Sequence, residues 1–156
     1  METRVISDDR EGMLAALEAA QGARDDVPVG AVVVLDGRVL SEACNQVVAL
    51  GDPTAHAEVV ALREASGKIG APRLDGATLY VTMEPCLMCA GAIVQARVSK
   101  LVYGCDDPKA GAVRSLYTVL SDARLNHNPR VVAGVLAKEC AALVKRFFES
   151  LRHGER

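Results

Sequence analysis

Between Ser7 and Arg24, apolar residues recur at helical spacing, with Met13, Leu14, Leu17 and Ala20 in phase. Ser7, Asp8 and Asp9 stand ahead of them and supply the side-chain oxygens that cap a helix start. The period then changes. Pro28 to Leu35 is a β-branched apolar run and predicts a buried strand. Asp36–Gly37 is a hairpin signal, and Arg38 to about Val48, more mixed in polarity, reads as the returning strand. Residues 51–54 form a loop before a helix predicted over Ala55 to about Ser66, and residues 70–73 form another loop. Ala77–Met83 predicts a third strand, Leu87–Ala96 a short helix apolar nearly all round, and Lys100–Cys105 a fourth strand. A turn-rich loop follows at 106–111. Arg130–Val135 reads as a fifth strand, and Ala137 to about Arg152 as a last helix whose basic end suits the helix dipole.

The order is α-β-β-α-β-α-β-loop-β-α. A leading hairpin followed by alternating strands and helices predicts an α/β fold in three layers, α-β-α, with a mixed five-stranded sheet. Ligand sites in such folds collect at the carboxyl ends of strands, where helices begin. The length of 156 residues, without repeats or linkers, is read as a single unit over 1–156.

Half the residues are hydrophobic and 24% are charged, which suits a soluble globular chain. The formal net charge of -2 argues against a general polyanion binder, so any nucleic acid must be met by a local basic patch. The N-terminal residues lack a signal-peptide pattern, and the longest apolar run, Val29–Leu35, is too short to cross a bilayer. No membrane partner and a cytoplasmic location are expected. With no Trp, three Tyr and two Phe, the chain does not look built to grip long single strands by repeated stacking.

Both chemically loaded motifs fall where strands give way to helices. The first is His56-Ala-Glu58, after Asp52-Pro-Thr-Ala; the second is Glu84-Pro85-Cys86-Leu-Met-Cys89. A Cys-x-x-Cys at a helix start brings two sulfurs together, and both the helix N-terminus and a bound metal favour the thiolate. Pro85 pre-sets the helix start where no amide donor is lost. His56 adds an imidazole. Two thiolates and one imidazole make three zinc ligands, and a site with three protein ligands keeps a position open for water, the mark of a catalytic centre. Glu58, beside the metal without binding it, is placed to move protons. Cys-x-x-Cys alone is shared with redox and structural zinc pairs. The ordered set His-x-Glu … Pro-Cys-x-x-Cys is the zinc deaminase signature. Cys44, Cys105 and Cys140 read as small buried residues.

At this point the chain resembles the bacterial tRNA-specific adenosine deaminases, within the cytidine deaminase-like superfamily, nearly end to end. The resemblance rests on VPVGAV (27–32), Asn45, DPTAHAE (52–58), ATLYVTMEPCLMCAGA (77–92), DPKAG (107–111), Asn126–His127 and Phe147–Phe148. It implies hydrolysis of the wobble adenosine of an anticodon to inosine, with one zinc per subunit held by His56, Cys86 and Cys89, and Glu58 as the catalytic acid and base. It further implies that Asn45 fixes the flipped nucleotide and that the backbone at Ala57 and Glu84 reads the base, the Glu84 side chain being structural. Asp107 and Lys109 would contact the ribose or phosphates. Phe147–Phe148 would stack on anticodon-loop bases, with one of the pair in the core and Phe148 as the contact, while Lys145, Arg146 and Arg152 supply a basic patch. The family resemblance also implies a tRNA anticodon stem-loop as partner, an arginine tRNA in particular, and a homodimer that buries the apolar Leu87–Gln95 helix. Two departures stand out: Cys44, where the family is often aromatic, and Arg114, where it has a small residue.

Three other readings share these residues. One is a zinc deaminase of a free base or nucleoside of guanine or cytosine type. Another is a non-catalytic zinc-stabilised RNA-binding module, which has no use for Glu58. The third is a Cys-x-x-Cys redox protein.

Overall fold

A computed structural model describes residues 3–154. Residues 1–2 and 155–156 lie outside the described residues. The elements run α1 (Asp9–Ala20), β1 (Gly30–Leu35), β2 (Arg38–Cys44), α2 (Val47–Leu50), α3 (Ala57–Ile69), β3 (Thr78–Met83), α4 (Leu87–Ala96), β4 (Lys100–Cys105), β5 (Arg130–Ala133) and α5 (Ala137–Arg152). One five-stranded sheet has the order β2-β1-β3-β4-β5. β1 pairs antiparallel with β2 and β3, while β3, β4 and β5 are parallel, so the sheet is mixed.

The period-2 pattern of β1 divides the core. Ala31 and Val33 join one apolar cluster with Ala61, Ala65, Ile93 and Leu101. Val32 and Val34 join the other with Met13, Ala16, Tyr80 and Cys140. Successive side chains of a strand point to opposite faces, so a strand apolar throughout has helices on both sides. α3 and α4 lie on one face, α1 and α5 on the other. The three-layer prediction holds. Gly30 is required by this layering, because a Cβ there would lie 1.9 Å from the Ala16 carbonyl oxygen of α1.

Several element boundaries differ from the sequence reading. α1, capped by the Asp8 carboxylate on Glu11 N–H, ends at Ala20 rather than Arg24, and a 3-10 turn over Gln21–Ala23 follows. Within α1, Leu14 faces outward while Met13 is fully buried. β2 stops at Cys44 instead of continuing to Val48, because the Asp26 carboxylate accepts from the amides of Val48 and Ala49 and winds this stretch into the short helix α2. α3 begins at Ala57, since His56 keeps an extended backbone (ψ 151°), and runs on to Ile69, where Gly70 ends it in the left-handed region. β5 ends at Ala133, before Gly134 at φ 83°.

The topology gathers one end of the sheet. β3 and β4 run parallel and deliver residues 84–86 and 106–111 from the same edge. β1 is antiparallel to β3, so its start lies there too, and Gly30 N–H donates to Thr82 Oγ1 at 3.2 Å. Asn45, just after β2, joins them, its N–H bonded to the Val29 carbonyl at 3.0 Å.

Candidate metal centre and active site

Two helix N-termini converge at that end. His56 and Cys86 are the N-cap residues of α3 and α4, each with extended backbone and neither using its side chain to cap its own helix. Their side chains are therefore free to turn toward each other. Cys89 lies in the first turn of α4, fully buried. His56 Nδ1 stands 3.5 Å from Cys86 Sγ and 3.5 Å from Cys89 Sγ. A tetrahedral zinc with bonds of about 2.0–2.3 Å has nitrogen–sulfur edges of about 3.5 Å. The observed spacing and the soft N/S/S donor set therefore fit zinc. Among the described residues, these three form the group of metal-capable side chains whose ligand atoms lie within 4.8 Å of one another. The other three cysteines carry free thiols away from this group, Cys105 and Cys140 being buried.

The electrostatics favour a cation. The Cys89 thiol donates to Cys86 and holds it down at about 3, against the opposing effect of burial and with the help of His56. Cys89, which keeps the proton, is raised by the same hydrogen bond and by burial. The hydrogen bond to the Cys86 sulfur raises His56. A metal ion relieves this arrangement, since both sulfurs then bind as thiolates. Glu58, in the first turn of α3, is 4% exposed. Burial pushes its carboxyl up to about 7, poised to hold or release a proton near neutral pH.

Beside these groups lies a cavity of about 240 Å³. Asn45, His56, Ala57, Glu58, Glu84, Cys86 and Asp107, all named in the sequence reading, line it. Val27, Val29, Met83 and Ala110 also line it and were missed. Their only sequence signal is position: Val29 precedes β1 and Met83 ends β3, both at the end of the sheet where the site forms. The Asn45 side-chain oxygen accepts from Val47 N–H at 3.3 Å, so Asn45 both shapes the turn after β2 and faces the cavity. Asp107 likewise caps its own turn, accepting from Lys109 N–H at 3.1 Å and Ala110 N–H at 3.2 Å. Lys109 and Phe148 lie outside the cavity, on the surface. Phe148 is 43% exposed and stands edge-on to the buried Phe147, centroids 5.3 Å apart.

Glu84 is the anchor of the loop that carries Asp107. Its carboxylate accepts from the amides of Asp107 (3.0 Å), Val113 (3.1 Å), Arg114 (2.9 Å) and Ser115 (3.0 Å), and from the Ser115 hydroxyl. Burial alone would raise this carboxyl, but these donors outweigh it and hold the group at about 2. The Glu84 N–H is bonded to Cys105 O at 2.9 Å, which leaves the Glu84 carbonyl as the backbone group it can offer a ligand. Arg114 turns outward and forms a bidentate pair with Asp106 (2.9 and 3.1 Å), its guanidinium 5.9 Å from the Tyr103 ring centroid.

The family model of the cytidine and deoxycytidylate deaminase zinc-binding region matches residues 6–105. The chain is 48% identical over 140 residues, covering 89% of itself and 92% of its relative, to a tRNA-specific adenosine deaminase of Agrobacterium fabrum (strain C58 / ATCC 33970). Among solved structures it is similar to one from work on A-to-I editing by tRNA:A34 deaminases at the wobble position of transfer RNA. That likeness has TM-score 0.82 and 48% identity, over 85% of this chain and 97% of that one. A guanine deaminase from Nitrosomonas europaea gives the same TM-score, 0.82, at 25% identity over 94% of this chain and 87% of its own. The fold alone thus does not separate the two activities, whereas the sequence identity, 48% against 25%, is the higher toward the tRNA deaminase. The chain belongs to the tRNA-specific adenosine deaminases, within the zinc-binding cytidine and deoxycytidylate deaminase family.

Proposed function

We propose that this chain, over 1–156 as one unit, hydrolyses adenosine to inosine at the wobble position of a tRNA anticodon. The observation that carries the reading is the assembly of His56, Cys86 and Cys89 at zinc spacing with Glu58 buried beside them, in a chain 48% identical to a tRNA-specific adenosine deaminase. His56 through Nδ1 and the two cysteines through Sγ hold the metal. Zinc bound there supplies the Lewis acidity that ionises water at neutral pH.

Glu58 does the proton work. Its carboxylate takes the proton of the attacking water and delivers it to N1 of the adenine ring. It next takes the proton of the new C6 hydroxyl and passes it to the exocyclic nitrogen, which leaves as ammonia as the C6–N bond breaks, the retained oxygen becoming the C6 carbonyl of inosine. A carboxyl held at about 7 is suited to both directions of transfer. Asn45, whose oxygen is engaged by Val47, offers its two amide N–H donors to the flipped nucleotide. The Glu84 carbonyl is an acceptor matched to the amino group that adenine carries, and the Ala57 N–H, in the first turn of α3, lies where helix amides lack an intrahelical acceptor. Val27, Val29 and Met83 give the base an apolar wall.

Asp107, in the cavity wall, and Lys109, outside it, contact the strand beside the target. Exposed Lys145, Arg146, Phe148 and Arg152 on α5 supply the local positive charge and the aromatic face that a net-acidic chain needs to hold an anticodon loop. An arginine tRNA is the expected substrate. α4 leaves Leu87 49% exposed, and a shallow cavity of about 360 Å³ runs between α3 and α4 past Leu62 and Ala92. A second copy covering this apolar face forms the homodimer. Among the described residues no helix is long and apolar enough to cross a membrane, in keeping with a cytoplasmic place of action.

The test is nucleoside mass spectrometry after incubation with total bacterial tRNA, beside parallel reactions on guanine, cytidine and free adenosine. Inosine is expected in the tRNA reaction alone. Deamination of a free base with none in tRNA would move the protein to the second chemistry.

A further inference from the structure

α2 is four residues long, too short to hold itself together in water. It has no side-chain cap at its own N-cap, Gln46. The amides of its first turn are instead taken by two residues from outside the helix. Val47 N–H goes to the Asn45 side-chain oxygen at 3.3 Å. Val48 N–H goes to Asp26 Oδ1 at 2.7 Å, and Ala49 N–H to Asp26 Oδ2 at 3.1 Å. Asp26 is 3% exposed and sits just before the strand start that lines the cavity, its own N–H bonded to Ala23 O at 2.9 Å. A buried carboxylate costs free energy unless each oxygen is satisfied, and here each oxygen has one α2 amide. Both Asp26 and Asn45 therefore hold the same turn.

We infer that Asp26 is a positioning residue for the reaction: by clamping α2 it sets the place of the Val47 amide, and so orients the Asn45 carboxamide that faces the cavity. This rests on the reading of Asn45 as the residue that holds the nucleotide. The contact is indirect, so Asp26 acts on substrate binding and leaves proton transfer at Glu58 untouched. Asparagine at 26 keeps the shape but offers one acceptor oxygen for two amides and turns an N–H toward the other. Alanine removes both.

The experiment is a double-mutant cycle on Asp26→Ala and Asn45→Ala, with Asp26→Asn as the milder variant that keeps the fold. An anticodon stem-loop RNA serves as substrate and bound zinc is measured in every protein. KM is expected to rise about tenfold or more in Asp26→Ala and in Asn45→Ala, and less in Asp26→Asn, with kcat and zinc content near those of the parent. The double variant is expected to match Asn45→Ala within about twofold, because Asp26 works through Asn45. If the double variant shows the product of the two single losses, or if Asp26→Asn and Asp26→Ala change kcat or zinc content instead of KM, the inference is overturned. An Asn45→Ala enzyme with unchanged KM overturns the reading of Asn45 itself. An Asn45→Ala defect beside unchanged Asp26 variants overturns the inference alone.

Discussion

A Cβ on Gly111 would lie 2.3 Å from the carboxylate carbon of Glu84. The loop from Asp107 to Ser115 wraps this buried carboxylate so tightly that no side chain fits between them. Gly111→Ala therefore pushes the loop off its anchor and moves Asp107 relative to the cavity. Displacements of this size at positioning groups cost about tenfold to a hundredfold, so kcat/KM on an anticodon stem-loop is expected to fall by that order while bound zinc stays at its parental level. Parental kcat/KM in this variant would show that the loop bears no part of the substrate.

The same carboxylate makes a prediction about acid. Glu84 is held at about 2 in the folded chain, below the usual range near 4.5 that the unfolded chain retains. A group with a depressed folded pKa stabilises the fold fully above its unfolded value, and that contribution is lost as pH falls from about 4.5 toward 2. Glu84→Gln lacks this titration. Its melting temperature is expected to lie roughly 5 °C below the parent at pH 7, with the gap narrowing progressively as pH falls from about 4.5 toward 2. A gap that stays constant over that interval would contradict the assignment.

Glu58 and the metal-capable trio separate cleanly by experiment. Glu58→Ala is expected to keep about one zinc per chain and to lose turnover by on the order of 10³-fold, since it removes the proton carrier and no ligand. Cys86→Ser is expected to lose zinc itself. Zinc counted by elemental analysis beside the rate of inosine formation distinguishes them, and an active Glu58→Ala enzyme would sink the proposed proton path.

Arg114 departs from the family's small residue but is bound to Asp106 on the exposed side of the loop. Exposed pairs contribute little, and this one offers no donor to the cavity. Arg114→Ala is expected to leave kcat/KM within about twofold, with the salt dependence of RNA binding unchanged. A clear drop in the salt slope would show that Arg114 meets a phosphate after all.

The β-branched apolar run ending at Leu35, the hairpin at Asp36–Gly37, the cap at Asp8 and the helix entry at Pro85 are local signals, and each leads to the element that forms. The chemistry was equally legible, because zinc selects its donors by type and spacing: His56, Cys86, Cys89 and Glu58 could be named from order alone. The end of β2 was not legible. Asn45 turns the chain after Cys44, but the acceptor that winds Val47–Leu50 into a helix is Asp26, on a separate stretch of chain. Nor could the sequence tell that Glu84 holds five donors, or that Val29 and Met83 share a cavity wall. Local propensity depends on neighbours in the chain, and motif chemistry on residue type. Hydrogen bonds across distant segments, and the shape of a cavity between strand ends, exist only once the sheet order has brought those segments together. That is why the reaction could be read from the amino acids, whereas the devices that hold its parts in place belonged to the tertiary structure.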